Sequence, residues 1–302
     1  MLKLKNRVVS WSQSLLMRLR IYSPKLVWYS YSTRDFQIVD YQAYQLDKLP
    51  YSFRGPKPVL KNKKYISFLG AAQTFGVFCR KPFPDLIKDE LGCNIINLGM
   101  GGAGPGHFLH KELLSVINDS KIAVVQVLSA RSVENSVMED CTGTITIRAT
   151  GEKLSSKDAY NRVLSNPEFD AEQIISETRQ NYTKAYKELL DKITVPKILF
   201  WFSDRDPAYQ DDFSSVDGIF NSFPHMVNQE IINIIAMECD EFVSCTTNRG
   251  LPQKLISRFT NKPVSIIDGP GKKPKTHNYY YPSPEMHTDA AKVLLPVIQN
   301  YL

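Results

Sequence analysis

Four short apolar segments constrain the fold of this chain most strongly, because each one is followed by a turn and then by a stretch with helical periodicity. They are Tyr65–Leu69, Cys93–Leu98, Ile122–Leu128 and Lys197–Phe202. Continuous apolar runs of this length are typical of strands that are buried on both faces of a parallel sheet. Their alternation with helices predicts a three-layer α/β/α fold around a parallel sheet.

The rest of the chain flanks or interrupts this alternation. Residues 1–64 are predicted to form an irregular N-terminal arm, and residues 65–302 an α/β domain with a polar insertion at about 139–170. Helices are predicted over 84–92, 108–117, 171–193, 224–237 and 288–301, with a further short strand at 241–243. Right-handed crossovers bring the loops after parallel strands to one edge of the sheet, so a ligand is expected there.

Charge and composition narrow the classes of partner. The net charge is +6, and the apolar and charged fractions of 43% and 23% are those of an ordinary globular protein. A basic surface can attract nucleic acid, anionic lipid or a phosphorylated substrate. No nucleic-acid motif is present, and the aromatic residues do not interleave with the basic ones, so we predict no nucleic-acid partner.

Cysteines and apolar stretches bear on the compartment. The five cysteines show no paired spacing, which argues against a disulfide framework and against a zinc site, and favours a cytoplasmic location. No stretch reaches the roughly 18 apolar residues that a bilayer span requires. Residues 6–20 could form a basic amphipathic helix, either in peripheral contact with a membrane or packed on the domain.

The turn after the first strand, 68–76, carries the first resemblance. Gly70, Thr74 and Gly76 match the first block of the SGNH (GDSL-type) hydrolases and acyltransferases, which the chain resembles. Ala71 and Ala72 occupy the positions of that block's Asp and nucleophilic Ser. A methyl group cannot attack a carbonyl, so the family's acyl-enzyme chemistry cannot start here.

Neighbouring residues in this turn and a glycine-rich loop are the next candidates. Gln73 and Thr74 are predicted as site residues of the turn. The loop after the second strand resembles the superfamily's second block, which donates a backbone N–H to an oxyanion. Its candidate binding residues are Gly99, Gly101, Gly102 and Gly104. Several glycines can present N–H groups as an anion nest, although a tight turn needs only one glycine.

Two more strand ends carry polar candidates. Arg131 follows the third strand, where its guanidinium could bind phosphate or carboxylate or form a surface ion pair. Asn135 could substitute for the oxyanion-binding Asn that the superfamily's third block would place nearby. Asp204 and Arg205 follow the fourth strand, where they could bind a sugar or simply start a turn.

His287 is the candidate general base. It matches the His of the superfamily's last block, Asp-x-x-His, which precedes a helix. Pro284 occupies the position of the Asp, and Glu285 or Asp289 could replace it. The other histidines lack a comparable context.

Two further resemblances concern family membership. The stretch from about 51 to 138 looks like a bacterial domain family of unknown function, through Phe53–Pro56, the turn at 68–76 and Asn97–Gly99. The turn also resembles that of a capsule acetyltransferase family, which has Gly-Asn-Cys-Gln after its first strand. Ala72 occupies the position of that Cys.

Three functions remain open on this basis. The first is a glycan- or polysaccharide-modifying transferase that moves an acyl group without a serine nucleophile. The second is a sulfotransferase that binds a 3′-phosphoadenosine donor through Arg131 with Ser132 or Ser136. The third is a binding module without activity. The expected partner is a small molecule or glycan, and the sequence identifies no cofactor and no metal site.

Overall fold

The computed structural model describes residues 29–61, 63–140, 144–267 and 272–302. The amphipathic segment predicted over 6–20 lies outside these ranges. In chain order the elements are α1 (Tyr29–Arg34), β1 (Tyr44–Gln45), β2 (Ser52–Phe53), β3 (Tyr65–Leu69), α2 (Ala72–Phe75), α3 (Phe83–Leu91), β4 (Asn94–Asn97), α4 (Lys111–Asn118), β5 (Ile122–Gln126), β6 (Met138–Asp140), β7 (Ile145–Ile147), β8 (Lys153–Leu154), α5 (Ser156–Ser165), α6 (Ala171–Lys192), β9 (Lys197–Ser203), α7 (Val216–Ile219), α8 (Gln229–Ala236), β10 (Glu241–Thr246), β11 (Gln253–Lys254), β12 (His277–Asn278) and α9 (Pro284–Gln299).

The central sheet has five parallel strands in the spatial order β10-β9-β5-β3-β4. Ile66 of β3 lies beside Ile95 of β4 on one side and Ile122 of β5 on the other. Numbered within the sheet, the order is 2-1-3-4-5, which is the flavodoxin-like arrangement. The predicted α/β class with a parallel sheet is therefore confirmed. Ligand sites in this arrangement form between the carboxyl ends of β3 and β5, where the winding direction reverses.

Both faces of the sheet are buried, which explains the continuous apolar runs. Along β9, Leu199 and Trp201 belong to one apolar cluster, whereas Ile198, Phe200 and Phe202 belong to the other. Successive side chains of a strand point to opposite faces of the sheet. When both faces are covered, neither set of side chains reaches solvent, and both sets are therefore mostly apolar. Helices α3 and α9 pack against each other over the second cluster.

The N-terminal arm is more regular than predicted. It contains α1 and an antiparallel pair of two-residue strands, β1 and β2. Ile38, Tyr41 and Phe53 are buried in the first apolar cluster together with residues of the sheet. The described part of the arm therefore contributes to the core of the α/β domain. No helix of the described residues is long and apolar enough to cross a membrane.

The insertion and two helix boundaries also differ from the predictions. Strands β6, β7 and β8 form a small antiparallel sheet, followed by α5. The helix predicted over 224–237 begins only at Gln229, because the Asn228 side chain caps it by accepting from the Ile231 N–H. The C-terminal helix begins at Pro284, four residues earlier than predicted, because Ser283 caps it by accepting from the Met286 N–H.

Candidate functional site

A pocket lies at the reversal point of the sheet and is formed by the loops that leave three adjacent strands. The turn after β3 contributes Ala71–Gln73, the loop after β4 contributes Gly102 and Ala103, and the end of β5 contributes Ser129 and Arg131. The structure thus brings Gln73, Gly102 and Arg131 together, three of the residues predicted from the sequence.

Aromatic residues from distant segments close this pocket. Phe223, Tyr280 and Tyr281 line it together with Tyr31 of the N-terminal arm. The Tyr31 and Tyr281 hydroxyls lie 3.1 Å apart and are hydrogen-bonded. The cavity has a volume of about 60 Å³, which at about 10–15 Å³ for each water-sized group accommodates about five such groups.

Gln73 is a pocket residue with an unusual lack of partners. The residue is only 3% exposed, and within the described ranges its buried Oε1 atom has no hydrogen-bond donor. A buried amide oxygen without a donor costs free energy, so such an atom marks a place where a ligand or water supplies the donor. The side chain also approaches the hydroxyl of Tyr280, whose pKa is raised chiefly by burial.

Thr74 supports the turn and does not line the pocket. Its hydroxyl donates to Gln126 Oε1 at 2.6 Å, and the Ala71 N–H donates to the same oxygen at 3.0 Å. A Cβ atom at Gly70 would lie 2.0 Å from Thr74 Oγ1, so this glycine is required for the close approach. We therefore revise the prediction for Thr74: it positions the turn that carries Gln73.

The glycine loop contributes one residue to the pocket. Gly102 has a φ of +80° and lines the cavity. Within the described part of the chain its N–H has no hydrogen-bond acceptor. Gly99 is instead required for packing, because an added Cβ would lie 2.3 Å from the Phe75 nitrogen. Gly101 and Gly104 do not line the pocket, which revises the four-glycine prediction to a single glycine.

Arg131 supplies the positive charge of the pocket. Among the described residues its guanidinium has no hydrogen-bond or ion-pair partner, so the predicted surface ion pair is not formed there. Asn135 has a structural role instead. Its Oδ1 accepts from the N–H groups of Val137 and Met138 at 2.9 and 2.8 Å, and its Nδ2 donates to Thr178 at 3.0 Å. We therefore revise Asn135 from oxyanion ligand to anchor of the insertion.

A serine and a histidine that the sequence did not pair meet at this pocket. Ser129 Oγ lies 2.9 Å from Nδ1 of His225, which is 2% exposed. The Arg131 N–H donates to Ser129 Oγ at 3.2 Å, which leaves the hydroxyl hydrogen free to be donated to Nδ1. This is the spacing of a nucleophile and its base.

The loop that carries His225 is held in place because five of its consecutive backbone carbonyls, those of residues 222–226, each accept a hydrogen bond. The Arg205 Nη2 atom donates to the carbonyls of Ser222 and Pro224 at 3.1 and 3.0 Å. Donors from Ser203, Ala130 and Arg179 bind the carbonyls of residues 223, 225 and 226 respectively. Such support fixes a side chain in one geometry before a ligand arrives.

Arg205 is accordingly a positioning residue, which revises its predicted role in substrate binding. Its guanidinium also lies 3.4 Å from the centroid of the Tyr209 ring. Asp204 remains a candidate binding residue, because together with Gln73 it lines a second cleft next to the first pocket.

The protonation state of His225 follows from its surroundings. Burial lowers its pKa to about 3, and the nearby positive charges of Arg131 and Arg205 act in the same direction. The imidazole is therefore neutral at physiological pH and, without a ligand in the pocket, it is a weak base. An anionic group bound to Arg131 would offset part of this effect and make His225 a stronger base.

His287 lies in the core instead of the pocket. It has no exposed surface, its Nδ1 accepts from the Phe83 N–H at 3.2 Å, and its ring packs against Phe83 and Phe202. It is placed there because α9 begins at Pro284, so that the imidazole lies in the first turn of a helix that packs on the sheet. We therefore revise the prediction that His287 acts as the base.

Burial of His287 makes a prediction about stability. Burial lowers its pKa to about 3 from 6.5, so between these values the unfolded chain binds a proton that the folded chain excludes. The neutral His287 therefore makes its full contribution to the free energy of unfolding above pH 6.5. This contribution declines as the pH falls toward 3. We expect His287→Phe to reduce the slope of unfolding free energy against pH by about one bound proton, measured by urea unfolding between roughly pH 4 and pH 7.

Phe202→Leu provides the control for this experiment, because it alters the packing around the same ring but leaves the imidazole in place, and it should keep the wild-type slope. Equal slopes for His287→Phe and the wild type would show that His287 does not remain neutral in the fold. The residual slope of His287→Phe is expected to be positive, because burial also lowers the pKa values of His107 and His225.

Little in the sequence could have identified the Ser129 and His225 pair. Ser129 ends a buried strand, which is a signal for a pocket position, but His225 belongs to no motif and lies 96 residues away. Within the described ranges no group of three or more His, Cys, Asp or Glu side chains could hold a metal ion.

The fold and the pocket together define an α/β protein of flavodoxin-like topology with a pocket at the reversal point of the sheet. Residues 29–139 match the family model described as a domain of unknown function, DUF6473. This match confirms the resemblance to a family of unknown function that the sequence showed. No curated protein matches the chain in sequence.

Several solved structures are similar to this one at low identity. Phospholipase A1 from Streptomyces albidoflavus is 9% identical, with a TM-score of 0.45 over 80% of this chain and 100% of that one. The lipase Lip_vut3 from a goat rumen metagenome is 11% identical, with a TM-score of 0.40 over 76% and 95% of the two chains. A Slackia heliotrinireducens protein assigned to the SGNH hydrolases is 14% identical, with a TM-score of 0.35 over 78% and 100%.

Proposed function

We propose that this protein transfers a short acyl group to a hydroxyl-bearing acceptor, with Ser129 as the nucleophile and His225 as its base. The observation that carries the proposal is the 2.9 Å contact between Ser129 Oγ and His225 Nδ1 at the wall of a pocket. The sequence predicted a glycan- or polysaccharide-modifying transferase that moves an acyl group without a serine nucleophile. The present proposal keeps acyl transfer, replaces the direct transfer with a covalent step on Ser129, and describes the acceptor only as a hydroxyl compound.

The proposed reaction has two steps. Ser129 Oγ attacks the carbonyl carbon of an acyl ester or thioester while its proton moves to His225 Nδ1. The bond to the leaving alcohol or thiol then breaks, and the leaving group takes that proton. In the second step the acceptor hydroxyl attacks the acyl-serine, its proton passes to His225, and Ser129 recovers it as the ester bond breaks.

Two other pocket groups complete the chemistry. The N–H of Gly102, which has no acceptor within the described residues, can donate to the oxyanion that forms on the carbonyl oxygen. The Arg131 guanidinium can bind an anionic group of the donor, such as a carboxylate or phosphate.

The size of the cavity limits the acyl group. A volume of about 60 Å³ accommodates about five water-sized groups, so an acetyl group fits inside and the rest of a longer acyl chain would have to lie outside the pocket. We expect the rate of p-nitrophenol release to fall steeply from the acetate to the octanoate ester. A fluorophosphonate should form an adduct that peptide mass mapping assigns to Ser129. The exposed Ser136 provides an internal comparison within the same digest.

Other results of these two experiments would argue against the proposed reaction. An adduct on another serine, or a rate independent of chain length, would contradict the proposal. If no ester turns over and no adduct forms, the pocket belongs to a binding module without this activity. The sulfotransferase alternative has less support, because the Ser136 hydroxyl, one of its predicted phosphate ligands, donates to Glu177 at 2.6 Å.

A further inference from the structure

A second cleft adjoins the proposed acyl pocket and shares its wall. Gln73, Phe223 and Tyr280 line both cavities. The second cavity has a volume of about 50 Å³, which takes about four water-sized groups, so the hydroxyl-bearing edge of a larger ligand can enter while the rest lies outside. Its remaining lining includes Asp204 and Asn221. A ligand group in this cleft therefore contacts residues that also line the pocket of Ser129.

The polar residues of this cleft are available to a ligand. Asp204 and Asn221 are exposed, and within the described ranges neither side chain has a hydrogen-bond partner. A carboxylate offers two acceptor oxygens, and an amide offers both a donor and an acceptor, a combination that suits adjacent hydroxyl groups. Ser222 also lines the cleft, and its backbone is fixed because its carbonyl accepts from Arg205.

A buried atom on the shared wall also points to a ligand. Among the residues that the structure describes, none donates to Oε1 of Gln73, and only 3% of this residue is exposed. A ligand hydroxyl in the cleft would supply the missing donor, because a hydroxyl can donate to an amide oxygen while its own oxygen stays free to react.

Aromatic surface lies beside these polar groups. Tyr279 and Tyr280 are 71% and 42% exposed, and both line the cleft. A tyrosine ring offers a flat apolar face with a polar tip, which suits a ligand that has an apolar face and polar edges. A pyranose ring has this distribution, with C–H groups on its faces and hydroxyls around its edge.

We propose that this second cleft binds the sugar that accepts the acyl group, with Asp204 and Asn221 as hydrogen-bond partners of its hydroxyls. This inference rests on the proposed function, and it adds the chemical class of the acceptor. The sugar edge lies against Asp204, its apolar face against the exposed tyrosines, and the reacting hydroxyl against Gln73.

A binding measurement tests the cleft without requiring activity. Saturation-transfer NMR with methyl glucopyranoside and methyl galactopyranoside should detect binding to the full chain. We expect Asp204→Asn to weaken binding by about tenfold, as the loss of a charge-assisted hydrogen bond implies. Asp206→Asn is the matched control, since Asp206 is exposed on the same loop, does not line the cleft, and accepts from the Ala208 N–H.

A second measurement tests the acceptor role. With p-nitrophenyl acetate as donor, added methyl glycoside should yield an acetylated sugar, and Asp204→Asn should lower the ratio of transfer to hydrolysis by about tenfold. Equal binding by the Asp204→Asn and Asp206→Asn variants, or an unchanged ratio, would overturn the inference. Sugar binding without any Ser129 adduct would leave this cleft standing and remove the proposed function. An adduct without sugar binding would do the reverse.

Discussion

Ser129→Ala is expected to lower the rate of ester turnover by about a thousandfold or more, because removing a nucleophile leaves only the binding and electrostatic contributions of a site. The variant should also form no fluorophosphonate adduct. The measurement is p-nitrophenol release from the acetate ester, together with intact-protein mass spectrometry. The fold should persist, because the change removes a single oxygen atom from the loop that follows β5.

Two comparisons make this experiment decisive. Ser136→Ala removes a hydroxyl a few residues away that is bonded to Glu177, so it should retain the wild-type rate. His225→Gln keeps a polar side chain in the same loop but removes the base, so it should lose nearly as much activity as Ser129→Ala. Retention of activity in Ser129→Ala would mean that a different group attacks the ester.

Arg54→Met is expected to lower the free energy of unfolding by about 3–5 kcal/mol, because it leaves several buried polar groups without their cationic partner. The guanidinium is buried and donates to the carbonyls of Phe75 and Gly76 at 3.1 and 2.9 Å, and to those of Cys79 and Arg80 at 2.9 and 3.0 Å. It therefore holds the whole segment that follows the turn carrying Gln73. Urea unfolding followed by circular dichroism measures the loss.

A lysine should not rescue this position, because one ammonium group cannot reproduce the planar fork that reaches four carbonyls. Arg80→Met is the matched control: this arginine is exposed in the same segment, and surface changes of this kind usually alter stability by about 0.5 kcal/mol or less. A loss below about 1 kcal/mol for Arg54→Met would contradict the role given to these hydrogen bonds.

Arg54 also explains part of the resemblance that the sequence carried. Phe53–Pro56 was among the matching pieces, and the structure gives these residues a supporting function. Phe53 is fully buried, and the Arg54 side chain holds the segment 75–80 by donating hydrogen bonds to its backbone carbonyls. These two residues thus belong to the frame around the pocket, and neither of them lines it.

Residues that were predicted from topology lie together in the structure. Gln73, Gly102 and Arg131 each follow a buried strand, and parallel strands present their carboxyl ends at one edge. A residue that was predicted from its position in a motif lies elsewhere. His287 matches a histidine of the SGNH pattern, yet the register of its helix buries the ring between Phe83 and Phe202.

The sequence by itself determined the strands and the edge of the sheet at which the pocket lies, because apolar runs and the alternation of strands and helices are local properties that do not depend on how the loops are arranged. Only the tertiary structure decided which polar groups face one another. Ser129 contacts His225, which lies 96 residues further along the chain. The arginines that bind the backbone of the histidine loop come from two further segments. Hydrogen bonds depend on angstrom-scale geometry between distant segments, and no local pattern of residues records that distance.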